Sequence, residues 1–409
     1  MGDPAPAGGT GDGGVAAAGQ GAGTSPERHV RRTVAGGNGG PRGEGSEGAG
    51  SPPIPGFRLS CRETSGPPRL AAADFDGDGR TDVAFTVPGG TDAWVARGDG
   101  EGGFALPSPI PVGLAGSSLA GLAAADLDGD GRPDLAVAER PVEGDTYLVN
   151  GYVDVLLNVG AAGPGTFGPP LRLGVGIFPV EVVASDLDGD GNVDLASVER
   201  LSDRLSVHLA TGGGAFAPAV PYPAADPVSL VAAALRPGGP VDLVSTGGPV
   251  LLGDGSGAFA PGAGAFEPGL FPMDVAAADL DRDGHVDLVV ANDATDHVTV
   301  LRGDGTGAFP DAVTWQTGMY PGLVEVADLN GDGWPDLLAV LHQNGGIGSN
   351  ASVVRLGVGG GALGPSVALD GQPFAVADLN GDGRPDLVGS HFDERTWTYR
   401  LDVWLNATP

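Results

Sequence analysis

The sequence predicts an all-β fold, a seven-bladed β-propeller of four-stranded antiparallel blades preceded by a disordered N-terminal tail. Three observations predict it. An acidic nine-residue segment recurs along the chain, and each interval between copies carries short β-rich runs broken by turn signals. Residues 57–409 span 353 positions, enough for seven such units of about 50 residues.

The tail comes first. Residues 1–52 are rich in Gly, Ala, Ser and Pro and contain no Phe, Trp or Tyr. Such a segment cannot bury enough apolar surface to offset its chain entropy, so it is read as a disordered tail, with residues 53–409 as the propeller. Its start lacks the basic and apolar regions of a secretory signal.

The repeat is anchored by Asp74-Phe-Asp76-Gly-Asp78-Gly-Arg80-Thr-Asp82. Further copies begin at Asp126, Asp186, Asp279, Asp328 and Asp378, and a degenerate copy runs from Ala234 to Asp242. In each unit a small apolar stretch such as 122–125 enters the acidic segment, and a β-rich run such as 134–138 leaves it. A second run such as 298–301 leads to a Gly-rich turn ending in an aromatic, as at 303–309, and a last short run closes the unit. These four strands make one blade. The seventh unit stops before its last strand, and residues 58–62 read as the missing piece, so strands from both ends close the ring and leave no inner edge.

Composition narrows the chemistry. The formal charge is −31, from 52 acidic and 21 basic residues, and every basic residue is Arg. Lysine-dependent Schiff-base and Walker A chemistry is excluded, and nucleic acid is not expected as a partner without a basic run. Cys61 is the only cysteine, so no intrachain disulfide forms; its place in the ring-closing strand predicts burial. No apolar run reaches the length of a membrane helix, so membrane insertion is not expected.

The acidic segment carries Asp at positions one, five and nine, Asp or Asn at three, and mostly Gly at four and six. Alternate residues of a tight loop aim their oxygens at a common centre, and a carbonyl at position seven adds another. Hard oxygen donors in a flexible ring suit Ca²⁺ better than Mg²⁺. Without a cation, the crowded carboxylates repel one another or take up protons. The candidate ligand sets are Asp74, Asp76, Asp78, Arg80 and Asp82; Asp126, Asp128, Asp130, Arg132 and Asp134; Asp186, Asp188, Asp190, Asn192 and Asp194; Asp279, Asp281, Asp283, His285 and Asp287; Asp328, Asn330, Asp332, Trp334 and Asp336; and Asp378, Asn380, Asp382, Arg384 and Asp386. Arg80, Arg132, Asn192, His285, Trp334 and Arg384 offer only their backbone carbonyls. In the degenerate copy Ala234, Arg236 and Gly238 replace ligands, so no ion is expected there and about six Ca²⁺ ions in all.

Phe85 stands where an EF-hand needs its bidentate Glu, and the flanks read as strands. The alternation of these loops with Gly-Asp-Gly-x-Gly-x-Phe turns resembles the FG-GAP/VCBS repeat family, including the N-terminal propellers of integrin α subunits. That resemblance implies a seven-bladed propeller with calcium loops between the first and second strands of its blades.

The face opposite the loops is the candidate ligand face. Five residues past the ninth-position Asp, four of the seven units place the polar Glu139, Glu199, Asn292 and His391, and Phe178, Phe271 and Tyr320 precede a Pro at the entry to three first strands. They are read as ligand contacts, aromatics stacking on a sugar ring; the competing reading packs the aromatics between blades and makes the polar residues strand-end caps. Two Arg-Gly-Asp triplets, at 97–99 and 302–304, fall inside turns that the repeat itself demands. Asn350 and Asn406 begin glycosylation sequons.

No H-E-x-x-H, G-x-S-x-G or C-x-x-C motif occurs, and the chain is read as not an enzyme. The functional expectation is an extracellular or cell-surface calcium-binding propeller, a non-catalytic adhesion or recognition module for a protein or glycan. A carbohydrate-binding lectin is the alternative. A relative of the propeller-bearing polysaccharide lyases or phospholipases is a third reading.

Overall fold

The computed structural model describes residues 59–60, 69–87, 89–141, 149–160, 165–262, 268–318, 320–341, 351–393 and 398–406. The proposed tail, Cys61 and Asn350 lie outside the described residues, as does the side chain of His391.

Short β-rich runs joined by Gly-rich turns leave the chain no route to a single large sheet, and it forms seven four-stranded antiparallel sheets. Blade 1 comprises Arg69–Ala73, Asp82–Thr86, Asp92–Ala96 and Ser108–Pro111. Blades 2 to 6 begin at Ser118–Ala125, Pro179–Ser185, Leu230–Ala233, Pro272–Ala278 and Pro321–Ala327. Blade 7 takes Gln372–Ala377, Asp386–Asp393 and Thr398–Trp404 from the C-terminus and Leu59–Ser60 from the N-terminus. Leu59 pairs with Tyr399 and Ser60 with Thr398, so the shared-blade closure read from sequence is present.

The first strand of each blade touches the first strand of the next, and Gln372–Ala377 meets Arg69–Ala73 to complete the circle. First strands therefore line the axis and fourth strands form the rim. Side chains alternate across each strand, so every blade has two faces to cover. Each is covered by a neighbouring blade, and the core is a set of apolar layers between blades. Phe75, Val95, Leu135 and Leu156 fill the layer between blades 1 and 2, while Val83, Phe85, Val388 and Leu401 fill the layer that joins blade 7 to blade 1.

Polar ties span the same joints. Thr81 Oγ1 donates to the carbonyl of Asp378 at 2.7 Å, linking blade 1 to blade 7. Asn158 Nδ2 of blade 2 donates to the carbonyl of Phe75 in blade 1, also at 2.7 Å. Deleting residues 1–62 removes the strand that completes blade 7, and an edge left unpaired exposes the joint. That deletion is expected to lower the thermal unfolding midpoint, whereas deleting residues 1–52 is expected to leave it unchanged; equal midpoints for both would show that the ring closes without the N-terminal strand.

Candidate metal centres

One contact recurs in all seven blades. The ninth-position aspartates, Asp82, Asp134, Asp194, Asp242, Asp287, Asp336 and Asp386, are at most 2% exposed. One carboxylate oxygen of each accepts the backbone N–H of loop position two, at 2.8–3.1 Å. The other oxygen accepts a backbone N–H at or just past the end of the third strand, at 2.6–2.9 Å. The loop, the second strand and the next turn are thus held by one buried side chain.

The residue expected as a metal ligand is thus also a clamp, a role the nine-residue motif alone does not announce. Its signal was visible, since the degenerate copy loses every other loop carboxylate and retains Asp242. The N–H at position two belongs to Phe75, Leu127, Leu187, Leu235, Leu280, Leu329 or Leu379, each at most 5% exposed and packed into the layer with the following blade.

The outer part of each intact loop wraps N–H groups around its acids. In blade 1, Asp74 accepts from Gly77 at 2.7 Å and from Gly79 at 2.8 Å, while Asp76 and Asp78 accept from positions five and seven. Gly77 and Gly79 have φ of 75° and 83°, so both loop glycines take the left-handed backbone. Blade 5 places Arg282 at position four with φ 61°, and its guanidinium lies 4.9 Å from the ring centre of Trp334 in the next loop. The position-seven N–H groups of Arg80, Arg132, Asn192, His285, Trp334 and Arg384 all donate to the carboxylate of position five, at 2.7–3.0 Å.

Four loops bring three carboxylates together, with one oxygen of each within 4.8 Å of the others: Asp74, Asp76 and Asp78; Asp126, Asp128 and Asp134; Asp186, Asp188 and Asp194; and Asp279, Asp281 and Asp287. These all-oxygen donor sets can hold a divalent metal, and their spacing is about twice the 2.3–2.6 Å at which Ca²⁺ takes its ligands. Asp130, Asp190 and Asp283 at position five stand outside the triads of blades 2, 3 and 5. Blades 6 and 7 keep the same wrapping, with Asn330 and Asn380 at position three.

Blade 4 solves the same problem differently. Arg236, at position three, sets Nη2 2.5 Å from Asp242 Oδ1 and donates from the same nitrogen to the carbonyl of Gly253 at 2.6 Å. A guanidinium carried by the chain pairs with the buried carboxylate in this loop.

Burial is the main cause that pushes Asp82, Asp134 and Asp336 up to about 6, and raises Asp194, Asp287 and Asp386. The two clamp hydrogen bonds work against that shift, and the outer loop carboxylates add to it. A carboxyl whose folded pKa lies above its unfolded value contributes stability below about pH 4, and that contribution fades as pH rises through about 6. A bound cation would reverse this by favouring the charged form.

The opposite face is more closed than the sequence suggested. Glu139, Glu199 and Asn292 are fully buried. Glu139 accepts from the N–H of Leu114 and lies 3.5 Å from Arg172, and Glu199 accepts from Ser197, Ser206 and Arg204. Asn292 donates to Thr299. The strands carry these side chains inward, away from the solvent at the rim. Phe178, Phe271 and Tyr320 all have left-handed φ, at 62°, 53° and 58°, an uncommon backbone for an aromatic residue. Phe178 lies under the Arg140 guanidinium, Tyr320 is half-buried, and Phe271 is 69% exposed.

The Arg-Gly-Asp triplets are framework. A Cβ on Gly98 or Gly303 would lie 2.1 Å from the carbonyl of Thr81 or Val286, so the turn requires glycine at both. Arg302 pairs with Asp281 at 2.6 Å, and Arg97 lies 3.5 Å from Asp76. Asn406 is 7% exposed and its Nδ2 donates to the carbonyls of Leu329 and Pro385, so this asparagine is shielded.

A model of the FG-GAP-like repeat family matches residues 74–137 and 279–339, which hold the loops of blades 1, 2, 5 and 6. An Agrocybe aegerita lectin, described with non-reducing terminal N-acetylglucosamine, is similar in structure: 20% identical, covering 83% of this chain and 85% of that chain, with a TM-score of 0.50. BBS1N, described in complex with ARL6DN, is 12% identical, covering 83% of this chain and 92% of that chain, with a TM-score of 0.54. At these identities the likeness is one of fold. No curated protein matches the sequence.

The two loop types should respond differently to calcium. Asp242→Ala leaves Arg236 unpaired and two N–H groups without an acceptor, at a cost of about 3–5 kcal/mol. Denaturant unfolding should show the same cost in calcium and in EGTA. Asp328→Ala should cost more in calcium than in EGTA; equal costs for it in both conditions would contradict a metal role for that loop.

Proposed function

We propose that this chain is a calcium-braced recognition module that acts outside the cell, holding a protein or glycan ligand on the face opposite its acidic loops without turning it over. The observation that carries the reading is the set of four carboxylate triads, each with its oxygens within 4.8 Å, all in loops between first and second strands. The corresponding loops of blades 6 and 7 complete a set of about six calcium ions. The proposed ligands are the loop Asp and Asn side chains together with the position-seven carbonyls.

Calcium sites built from exposed loops fill where the free ion is abundant, as outside cells. Ions bound only to the folded ring would stabilise it by mass action, and ligand binding would depend on calcium through the fold. The loop carboxylates, held charged by a cation, make poor general acids, which favours binding over turnover. No helix among the described residues is long and apolar enough to cross a membrane.

Lectin activity is the second reading, favoured by the equivalent aromatics Phe178, Phe271 and Tyr320 and by the exposure of Phe271. Aromatic faces suit the apolar face of a sugar ring. The test is a screen of the immobilised full chain against a glycan array and a panel of cell-surface proteins, in calcium and in EGTA. Saturable binding that vanishes in EGTA and weakens at least tenfold in Phe271→Ala is expected. Chemical conversion of the captured ligand would overturn the non-catalytic reading, and binding indifferent to both EGTA and Phe271→Ala would overturn the site and its calcium dependence.

A further inference from the structure

The axis of the ring holds a second group of acids, separate from the loops. A cavity of about 310 Å³ lies there, lined by all seven first strands. Its charged lining is Arg69 from blade 1, Glu181 from blade 3, Asp274 from blade 5 and Glu325 from blade 6. Blades 2, 4 and 7 contribute Leu122, Ser229 and Phe374, none of which titrates. Three carboxyls therefore share one guanidinium in a sheltered space.

Two of these carboxyls also tie neighbouring blades. Glu181 Oε2 accepts the N–H of Leu230 in blade 4 at 3.1 Å. Asp274 Oδ1 accepts from Ser229 Oγ of blade 4 at 2.6 Å, and its Oδ2 accepts the N–H of Val324 in blade 6 at 2.9 Å. Blades 3 to 6 are thus linked in sequence through acids on the inner strands. Full ionisation would place three negative charges against one positive charge at this joint, and unpaired charge in a sheltered site is costly.

We propose that Glu181, Asp274 and Glu325 form a proton-holding cluster at the ring axis, so that the propeller is tightest with the cluster protonated and loosens as pH rises. Burial pushes Glu325 up to about 8, with the charges of Asp274 and Glu181 adding to the shift and Arg69 opposing it. Glu181 and Asp274 are raised by the same burial, with Arg69 and the hydrogen bonds they accept from Ser229, Leu230 and Val324 opposing. Because the folded value of Glu325 lies above the unfolded one, its contribution is complete below about pH 4.5 and declines up to about pH 8. One such group raises the unfolding constant about tenfold per pH unit within that window.

The test uses the full chain with calcium saturating throughout, so that the loop aspartates stay charged. The unfolding constant is measured by urea denaturation from pH 5.5 to 8 for the wild type and for Glu325→Gln. The expected result is a slope of the logarithm against pH that is lower by about one in Glu325→Gln, with the variant gaining on the wild type as pH rises. An unchanged slope overturns the proposal. Should the variant fail to fold, carbon-13 NMR of glutamate carboxyls in the native wild type, with Glu199→Gln as the assignment control, reads the same proton. A glutamate in both proteins that titrates above pH 7 supports the cluster, and titration of every glutamate below pH 7 overturns it.

Discussion

A buried aspartate with both oxygens spent on backbone N–H groups is the contact on which the rest of this ring depends. It stands at the start of the second strand in every blade, from Asp82 to Asp386. Its first bond fixes loop position two, whose Phe or Leu fills the layer with the next blade. Its second bond fixes the turn after the third strand, whose aromatic, as in Phe167, Phe216 or Phe309, packs against the preceding blade. One side chain thereby sets the forward and backward contacts of its blade, so the clamp governs blade stacking as well as loop shape.

The cost of burying that carboxylate explains the rest of the loop. Desolvation disfavours its charge, and the neighbouring acids at positions one, three and five make matters worse. Two remedies are built into the chain. Four loops gather carboxylate triads that a divalent cation could bridge, and blade 4 supplies a guanidinium from Arg236. Arg80, Arg132 and Arg384 also sit beside the outer acids of their own loops. The ring is therefore a set of equivalent joints, four with carboxylate triads that could hold a divalent metal and one closed by the guanidinium of Arg236.

Much of this was legible in sequence because the repeat writes it seven times. The spacing from Asp74 to Asp378 gave the blade count, and the incomplete seventh unit gave the shared blade in which Leu59 pairs with Tyr399. Position nine carries a clamping role that its spacing alone does not reveal, since a carboxylate reads alike whether it meets a cation or an N–H. The exposure of the face opposite the loops was hidden from sequence for a different reason. Strand spacing places Glu139, Glu199 and Asn292 at the ends of second strands, but says nothing of the 3-10 turns and neighbouring loops that cover such ends. The axial acids were invisible, because Glu181, Asp274 and Glu325 come from different blades and meet only once the ring closes.

The proposed cations occupy six loops and leave the seventh to Arg236. Native mass spectrometry of the full chain in excess calcium counts them directly. It should find about six ions bound to the wild type, and one more in a variant that restores acids at Ala234, Arg236 and Gly238. No bound calcium, or seven ions in the wild type, would contradict the assignment of the acidic loops and of Arg236 as the substitute for an ion.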